Sequence, residues 1–361
     1  MPGYHAALLS ELHHQANTLQ DLPPQVDTIF FGGGTPSLMK GEWIEDLIAC
    51  IRSDYGLAGN AEISLEANPG TLNERSIARL LNVGVNRLSI GVQSFSERDL
   101  ALLGRIHNPS QAVDAVESAR KVGFANVSLD LMFGIPGQSL ADWQANLLQA
   151  VSLEPNHLSL YSLILEPGTQ LFDEVEAGKV QPASEDLSAD MYEMAMDTLV
   201  QHGYSHYEIS NWSRGEDFEA KHNKVYWKNQ PYLGVGAGAH SSLNGLRVAN
   251  LPSVEDYINI LSSLGSDSVS PFPAAVETLK LDPYTIQQET MMLGMRLTRE
   301  GVSGLEFEKI YGTTIQEVFP KEIERITTRK LAEWLTFPDG LHLVLTRRGV
   351  MLGNQVFQEF V

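Results

Sequence analysis

Short apolar runs alternate along the first half of the chain with longer stretches whose apolar residues recur every three or four positions. The runs are Thr28–Phe31, Glu62–Glu66, Arg87–Gly91, Asn126–Phe133 and His157–Tyr161, and they begin 25–39 residues apart. That rhythm predicts strand–helix units of a parallel sheet or barrel. Between the runs, Leu8, Leu12, Ala16 and Leu19 repeat at helical spacing, as do Trp43, Leu47 and Ile51. Trp143, Leu147, Leu148 and Val151 form one apolar face behind a capping box of Ser139 and Asp142; Thr71 and Glu74 predict a second box. Met191, Met194, Ala195 and Leu199 follow helical spacing and read as core.

The predicted strands end in glycine or polar residues. Gly32-Gly33-Gly34-Thr35-Pro36 follows the first, Glu66-Ala67-Asn68-Pro69-Gly70 the second, Gly91-Val92-Gln93-Ser94 the third, and Gly134-Ile135-Pro136-Gly137-Gln138 the fourth, which carries Asp130. In α/β barrels and open sheets function collects at the carboxyl ends of strands, so these ends predict one binding mouth. Ser262–Pro273 reads as a Ser/Gly/Pro linker. Beyond it come several helices and a hairpin over Leu335–Leu345, a layout resembling a winged helix. The expected division is a barrel core over 1–175, a barrel extension over 176–265 and a C-terminal helical domain with a β-hairpin over 266–361.

Composition narrows the function. The 361 residues hold 25 Lys and Arg against 45 Asp and Glu, a formal charge of −20. Residues 276–361 contribute 10 basic and 12 acidic residues, so the C-terminal hairpin lacks the basic balance of a DNA-binding wing. Nucleic acid is not an expected partner. No apolar stretch reaches about 18 residues and no signal peptide is apparent, which makes the cytoplasm the expected location. The one cysteine, Cys50, excludes an intramolecular disulfide and any cluster held by several thiolates of these residues. Its helical neighbours Trp43, Leu47 and Ile51 mark it as a buried, inert thiol.

Several groups carry chemistry. The glycines of Gly32–Pro36 let a ligand approach the backbone, whose N–H groups can hold a carboxylate or phosphate; a tight strand-to-helix turn accounts for them equally. The spacing is not that of a dinucleotide fingerprint, and Gly234–Gly238 reads as a loop. Glu66, Gln93, Arg105 and Asp130 stand at or just after successive strand ends and together can ring a small molecule bearing an amine, a carboxylate and hydroxyls. His202 and His206 are four apart, but Gly203 between them argues against a shared helical face for a metal. In Lys221-His222-Asn223-Lys224-Val225-Tyr226-Trp227 an imidazole precedes two large aromatics by four and five residues. Such a group suits a flat aromatic ligand with an axial-ligand demand, such as haem; the alternative is a packed turn with a hydrogen-bonded histidine.

These stretches in this order, together with Asn86–Phe95 and Leu103-Gly104-Arg105-Ile106-His107, resemble the oxygen-independent coproporphyrinogen III oxidase-like group of radical SAM proteins over essentially the whole chain. His222-Asn223 with Tyr226-Trp227, followed by Gly234 through His240, is similar to the haem-chaperone branch of that group. The resemblance implies an α/β fold: an open (β/α)6 partial barrel, here lacking its first strand, with a smaller C-terminal domain. It implies an S-adenosylmethionine site, whose methionine contacts fall on Gly33, Gly34 and Thr35 and whose polar contacts fall on Glu66, Gln93, Arg105 and Asp130. It implies haem near His222, Tyr226 and Trp227, with His222 the candidate iron ligand and His240 its rival.

The group also carries a CxxxCxxC loop for a [4Fe–4S] cluster, which this sequence lacks. A sequence shortened at its start is the first explanation, a natural loss the second. The expected function is a haem carrier serving acceptor proteins, membrane-associated ones among the options. A radical enzyme acting on a porphyrinogen and an inactive remnant are the alternatives. Without the cluster, reductive cleavage of S-adenosylmethionine is not expected.

Overall fold

The computed structural model describes residues 2–19, 25–265 and 268–361. Helix α1 (Pro2–Thr18) leads into a seven-stranded sheet. Its first five strands, β1 (Val26–Phe31), β2 (Leu57–Ala67), β3 (Arg87–Gln93), β4 (Val127–Phe133) and β5 (His157–Ser162), are parallel and lie in chain order. An antiparallel hairpin, β6 (Ser205–Glu208) and β7 (Asn211–Ser213), continues the sheet through a β5–β7 pairing. The order β1-β2-β3-β4-β5-β7-β6 leaves the sheet open at both edges.

Helices α2 (Gly41–Asp54), α3 (Glu74–Asn82), α4 (Glu97–Leu102), α5 (Pro109–Val122), α6 (Leu140–Ser152), α7 (Gln170–Glu176) and α8 (Glu185–Gln201) occupy the connections between the strands. The main core lies between sheet and helices, because alternate strand residues point to one face. Ile29, Ile63, Leu65, Leu88, Ile90, Leu129, Leu131, Leu158 and Leu160 meet Ile44, Ile77, Val116, Trp143, Leu147 and Met191 there. Met191, Ala195 and Leu199 are fully buried and Met194 packs beside them, as expected. Ser139 and Asp142 form the expected capping box of α6. Two details differ. Leu148 is exposed, since the buried face of α6 runs through Trp143, Leu147, Ala150 and Val151. The box on α3 is Asn73 with Ser76, not Thr71 with Glu74: Pro69–Thr71 forms its own tight turn, and the Thr71 hydroxyl donates to the Asn68 carbonyl at 2.7 Å.

The other face of the sheet is polar. Thr28 and Phe30 on β1 are followed across it by Glu62, Ser64 and Glu66, by Arg87, Ser89 and Gln93, by Ser128 and Asp130, and by His157 and Ser159. Near the amino ends of the strands the segment Glu216–Trp227 crosses this face and contacts strands from both edges. It ends in the short helix α9 (Lys221–Trp227). The Tyr207 hydroxyl on β6 accepts from the Ala220 amide at 3.0 Å, and Arg87 Nη1 donates to the Phe218 carbonyl at 3.1 Å. The Glu62 carboxylate accepts the Lys221 and His222 amides, each at 3.1 Å. His157 links Ser128 (2.8 Å) to Tyr207 (2.8 Å) beneath the crossing.

The second half adds a sheet of β8 (His240–Leu243), β9 (Leu246–Asn250) and β10 (Ala275–Lys280), with α10 (Val254–Ser262) packed on α1. Of the expected linker Ser262–Pro273, residues 266 and 267 lie outside the described residues. Helices α11 (Pro283–Gly294), α12 (Gly304–Tyr311), α13 (Ile315–Val318), α14 (Pro320–Thr328), α15 (Arg347–Met351) and α16 (Gly353–Phe357) surround a third small sheet, β11 (Val302–Ser303), β12 (Ala332–Phe337) and β13 (Gly340–Leu345). The β12–β13 pair is the predicted hairpin. No helix of the described residues is long and apolar enough to cross a membrane.

The Glu62 carboxylate holds the start of α9 through two amides, so Glu62→Ala should lower unfolding stability by about 1–3 kcal/mol, the cost of leaving such donors unmet. Hydrogen exchange should speed up in residues 218–227 while the β3–β5 amides stay protected. Unchanged protection of α9 would refute its anchoring by Glu62.

Candidate functional site at the open end of the sheet

The carboxyl ends of β1–β4 carry most of the residues expected to bind a ligand. After β1, Gly33 has φ +84°, a left-handed conformation that favours glycine. A Cβ built on Gly33 or Gly34 would meet no atom of the described residues within 4 Å, whereas one on Gly32 would run into the Phe30 ring. The first two glycines therefore have different reasons: Gly32 makes room for Phe30, and Gly33 permits the turn. Gly33, Gly34 and Thr35 are all exposed.

Glu66 lies on the polar face opposite Ser89 in register. Burial and the charge of Asp130 push its carboxyl up to about 7, while the Gly33 amide draws it back. Asp130, one strand further on, accepts the Ser89 hydroxyl on both oxygens at 2.9 and 3.1 Å. Loss of solvent raises its pKa, against the hydroxyls of Ser89 and Ser159 and the charge of Arg87. The two carboxylates thus feel one another across a single strand. Ser64 Oγ, on the same face, has no partner among the described residues.

Gln93 closes β3 with φ +63°, uncommon for a residue with a side chain, and the strand register shifts there. Its amide folds back over Gly91, 2.9 Å from where a Cβ would stand. Arg105 is exposed on the loop after α4, two residues before His107, whose Nε2 is 3.1 Å from the Val92 carbonyl beside Gln93. The fold therefore gathers Glu66, Gln93 and Asp130 on one rim near the glycine turn. Arg105 stands on an adjoining loop, exposed, two residues before His107. A separate cleft of about 450 Å³ near the β4 end, lined by Arg98, Leu102 and Lys179 among others, contains none of the predicted residues.

His222 lies on the β1 side of the crossing segment. Its ring stacks on Phe30 at 5.0 Å and 10°. Nδ1 is 2.8 Å from Thr28 Oγ1, and Nε2 is 2.8 Å from the Tyr226 hydroxyl. Burial lowers its pKa to about 4, so the imidazole is neutral near pH 7. Tyr226 in turn meets Tyr232 edge-on at 4.7 Å. Trp227 does not join this group. It is five residues from His222 and so lies about 140° round the helix. The Arg296 guanidinium sits 4.6 Å over its ring and 5.1 Å from that of Phe357, so Trp227 packs toward the C-terminal domain. His240 is exposed at the start of β8.

His202 and His206 share no helical face. His202 caps α8, while His206 lies in β6, half-buried and stacked on Trp212 at 4.1 Å. Sequence reasoning missed the rest of the polar face: Glu62, Ser64, Arg87, Ser89, Ser128, His157 and Ser159. The signal was present in the polar residues at every second position of four successive strands, which mark a face that does not join the apolar core.

Comparison with known proteins places this architecture. Residues 8–149 match the Radical SAM superfamily and residues 281–352 the HemN C-terminal domain. The heme chaperone HemW of Bacillus subtilis (strain 168) is 36% identical over 339 residues, covering 94% of this chain and 86% of that protein. The heme chaperone HemW of Lactococcus lactis subsp. lactis (strain IL1403) is 36% identical over 334 residues, covering 92% and 84%. The structure of coproporphyrinogen III oxidase (HemN) from Escherichia coli, described as a radical SAM enzyme, aligns with a TM-score of 0.80 over 99% of this chain and 82% of that one. At 20% identity that likeness speaks to the fold alone, an open radical-SAM-type partial barrel with a smaller C-terminal domain. With relatives 36% identical along most of both lengths, the chain belongs to the HemW family of radical SAM proteins.

Proposed function

We propose that this chain is a haem-binding carrier that delivers haem to acceptor proteins, working in the cytoplasm on acceptors that include membrane-associated ones. The observation that carries the reading is the His222 arrangement, seen in a family whose members are named heme chaperones. A neutral imidazole has a lone pair to offer iron. With Nδ1–H donated to Thr28 Oγ1, the lone pair falls on Nε2, and the hydrogen bond fixes the tautomer as a supporting residue does for a metal-bound histidine. Iron binding then requires Tyr226 to give up its bond to Nε2. Tyr226 and Tyr232 supply aromatic surface beside it; Trp227 contributes by seating α9 on the C-terminal domain. His240 is the second candidate ligand. The division into 1–175, 176–265 and 266–361 belongs to this reading, with the haem region in the middle part.

The rim supports an S-adenosylmethionine site. Gly33, Gly34 and Thr35 would receive the methionine end. Glu66 and Asp130 suit its cationic and hydroxyl groups, Gln93 offers both a donor and an acceptor, and Arg105 suits a carboxylate. The unmet Ser64 hydroxyl beneath the rim fits a polar occupant. A [4Fe–4S] cluster is different. Three thiolates are needed, and these residues supply Cys50 alone. The residues present do not fit the cluster, and we assign no reductive cleavage to them. The porphyrinogen-oxidase alternative is not favoured, since several relatives matching most of the chain are named heme chaperone HemW.

For S-adenosylmethionine, calorimetry should show binding weakened by about 1–3 kcal/mol in Glu66→Ala and in Asp130→Ala, the range for hydrogen bonds to charged groups. Glu66 carries its proton below about pH 7 and releases it above, so affinity for the cationic ligand should rise from pH 6 to pH 8 in the wild type. Glu66→Gln should flatten that rise. Measurable wild-type binding with both alanine variants unchanged would reject the rim assignment.

Added haem should give a Soret band distinct from that of free haem. The band should shift or vanish in His222→Ala and persist in His107→Ala. A wild-type spectrum identical to free haem would overturn the carrier reading. A spectrum unchanged by His222→Ala but lost in His240→Ala would transfer the ligand role to His240.

A further inference from the structure

Away from the polar face, α1 packs against α2 on the outside of the molecule. Here three side chains of different chemistry converge. His13 comes from α1; Cys50 and Asp54 are one turn apart on the same face of α2. A nitrogen, a sulfur and a carboxylate oxygen of the three all lie within 4.8 Å of one another. His13 Nδ1 is 2.5 Å from Asp54 Oδ2, and Cys50 Sγ is 3.7 Å from Nδ1 and 3.6 Å from Oδ2.

We propose that His13, Cys50 and Asp54 form a three-ligand site for a zinc-class divalent metal, clamping α1 to α2. Zinc is bound by this mixture of thiolate, imidazole and carboxylate, with bonds of about 2.0–2.3 Å. Tetrahedral angles then separate ligand atoms by about 3.4–3.6 Å. Both edges that end on sulfur already have nearly that length, but Sγ also lies 3.9 Å from Nε2, so the His13 ring must turn to aim one nitrogen's lone pair at the metal. The nitrogen–oxygen edge must open by about 0.9 Å to the tetrahedral spacing. His13 is exposed and Asp54 lies at the surface, so both can rotate without disturbing a core. Their exposure also leaves the fourth position open to water. Cys50 is buried, which sets the sulfur as the fixed ligand around which the other two close.

Metal binding replaces the S–H bond of Cys50 with a metal–sulfur bond and releases that proton, with no change of oxidation state. The clamp has a structural reach. Glu11, two residues from His13 on α1, accepts the Gly236 amide at 2.9 Å, Asn250 Nδ2 at 2.8 Å and the Tyr257 hydroxyl at 2.5 Å. Fixing α1 on α2 therefore also fixes the residue that holds the glycine loop before β8.

The test uses the reduced, haem-free chain after treatment with a chelator. Titration with Co2+ should give a sulfur-to-cobalt charge-transfer band and four-coordinate visible bands that saturate at one cobalt per chain and are lost on adding Zn2+. Cys50→Ser should lose the charge-transfer band. His13→Asn, at an exposed position that leaves the fold intact, should weaken cobalt binding at least tenfold, while His14→Asn leaves it unchanged. Zn2+ should raise Tm in the wild type and not in His13→Asn. Absence of a saturating band in the wild type would reduce the trio to a hydrogen-bonded cluster and overturn the proposal. So would a band that survives in both Cys50→Ser and His13→Asn.

Discussion

A guanidinium buried against a parallel sheet must be met by fixed acceptors, and Arg87 sets that demand here. It is 4% exposed at the first position of β3. Asn126 Oδ1 and the Phe218 carbonyl, both at 3.1 Å, accept from it, and its charge lowers the pKa of Asp130. A buried cation left unpaired costs several kcal/mol. The crossing segment Glu216–Trp227 is thus a structural requirement of the polar face before it is anything else. The same segment brings His222 to Thr28 and Phe30. Charge compensation at β3 and placement of an imidazole at β1 are two ends of one stretch of chain.

This arrangement also gives the His222 side chain competing duties. In the structure both ring nitrogens are engaged and the ring is stacked, so it is a fully satisfied group. A ligand that takes Nε2 displaces a hydrogen bond worth about 1 kcal/mol and not a packed core. Phe30 lies between the two regions: its ring packs on Gly32 of the rim on one side and on His222 on the other. Any shift of the glycine turn is therefore felt by the ring that supports His222.

Much of the barrel was legible in the sequence because its five parallel strands are local units, each with an apolar face and a polar or glycine end. Glu66, Gln93 and Asp130 could be placed at strand ends for the same reason. The rest depends on partners far apart in sequence. The Thr28–His222 pair spans 194 residues and Glu62–Lys221 spans 159. No periodicity reports such pairings. Trp227 was misplaced beside Tyr226 because adjacent letters suggest adjacent rings, whereas a helix turns successive side chains apart by about 100°. The hairpin β6–β7 and the sheet β8–β10 consist of strands of three to six residues, too short to leave a clear alternation.

The strand order has a consequence in time. Strands β1 to β5 each pair with the next strand in the chain, so the sheet can grow by successive short closures. The crossing segment joins β1 and β2 only by closing loops of more than 150 residues, which carry the greater entropic cost. Growth of the sheet therefore precedes the capping of its polar face. Until the segment docks, Arg87 and Glu62 face water, where their charges are solvated at little cost. Their desolvation falls in the last stage of folding, together with the contacts that compensate it.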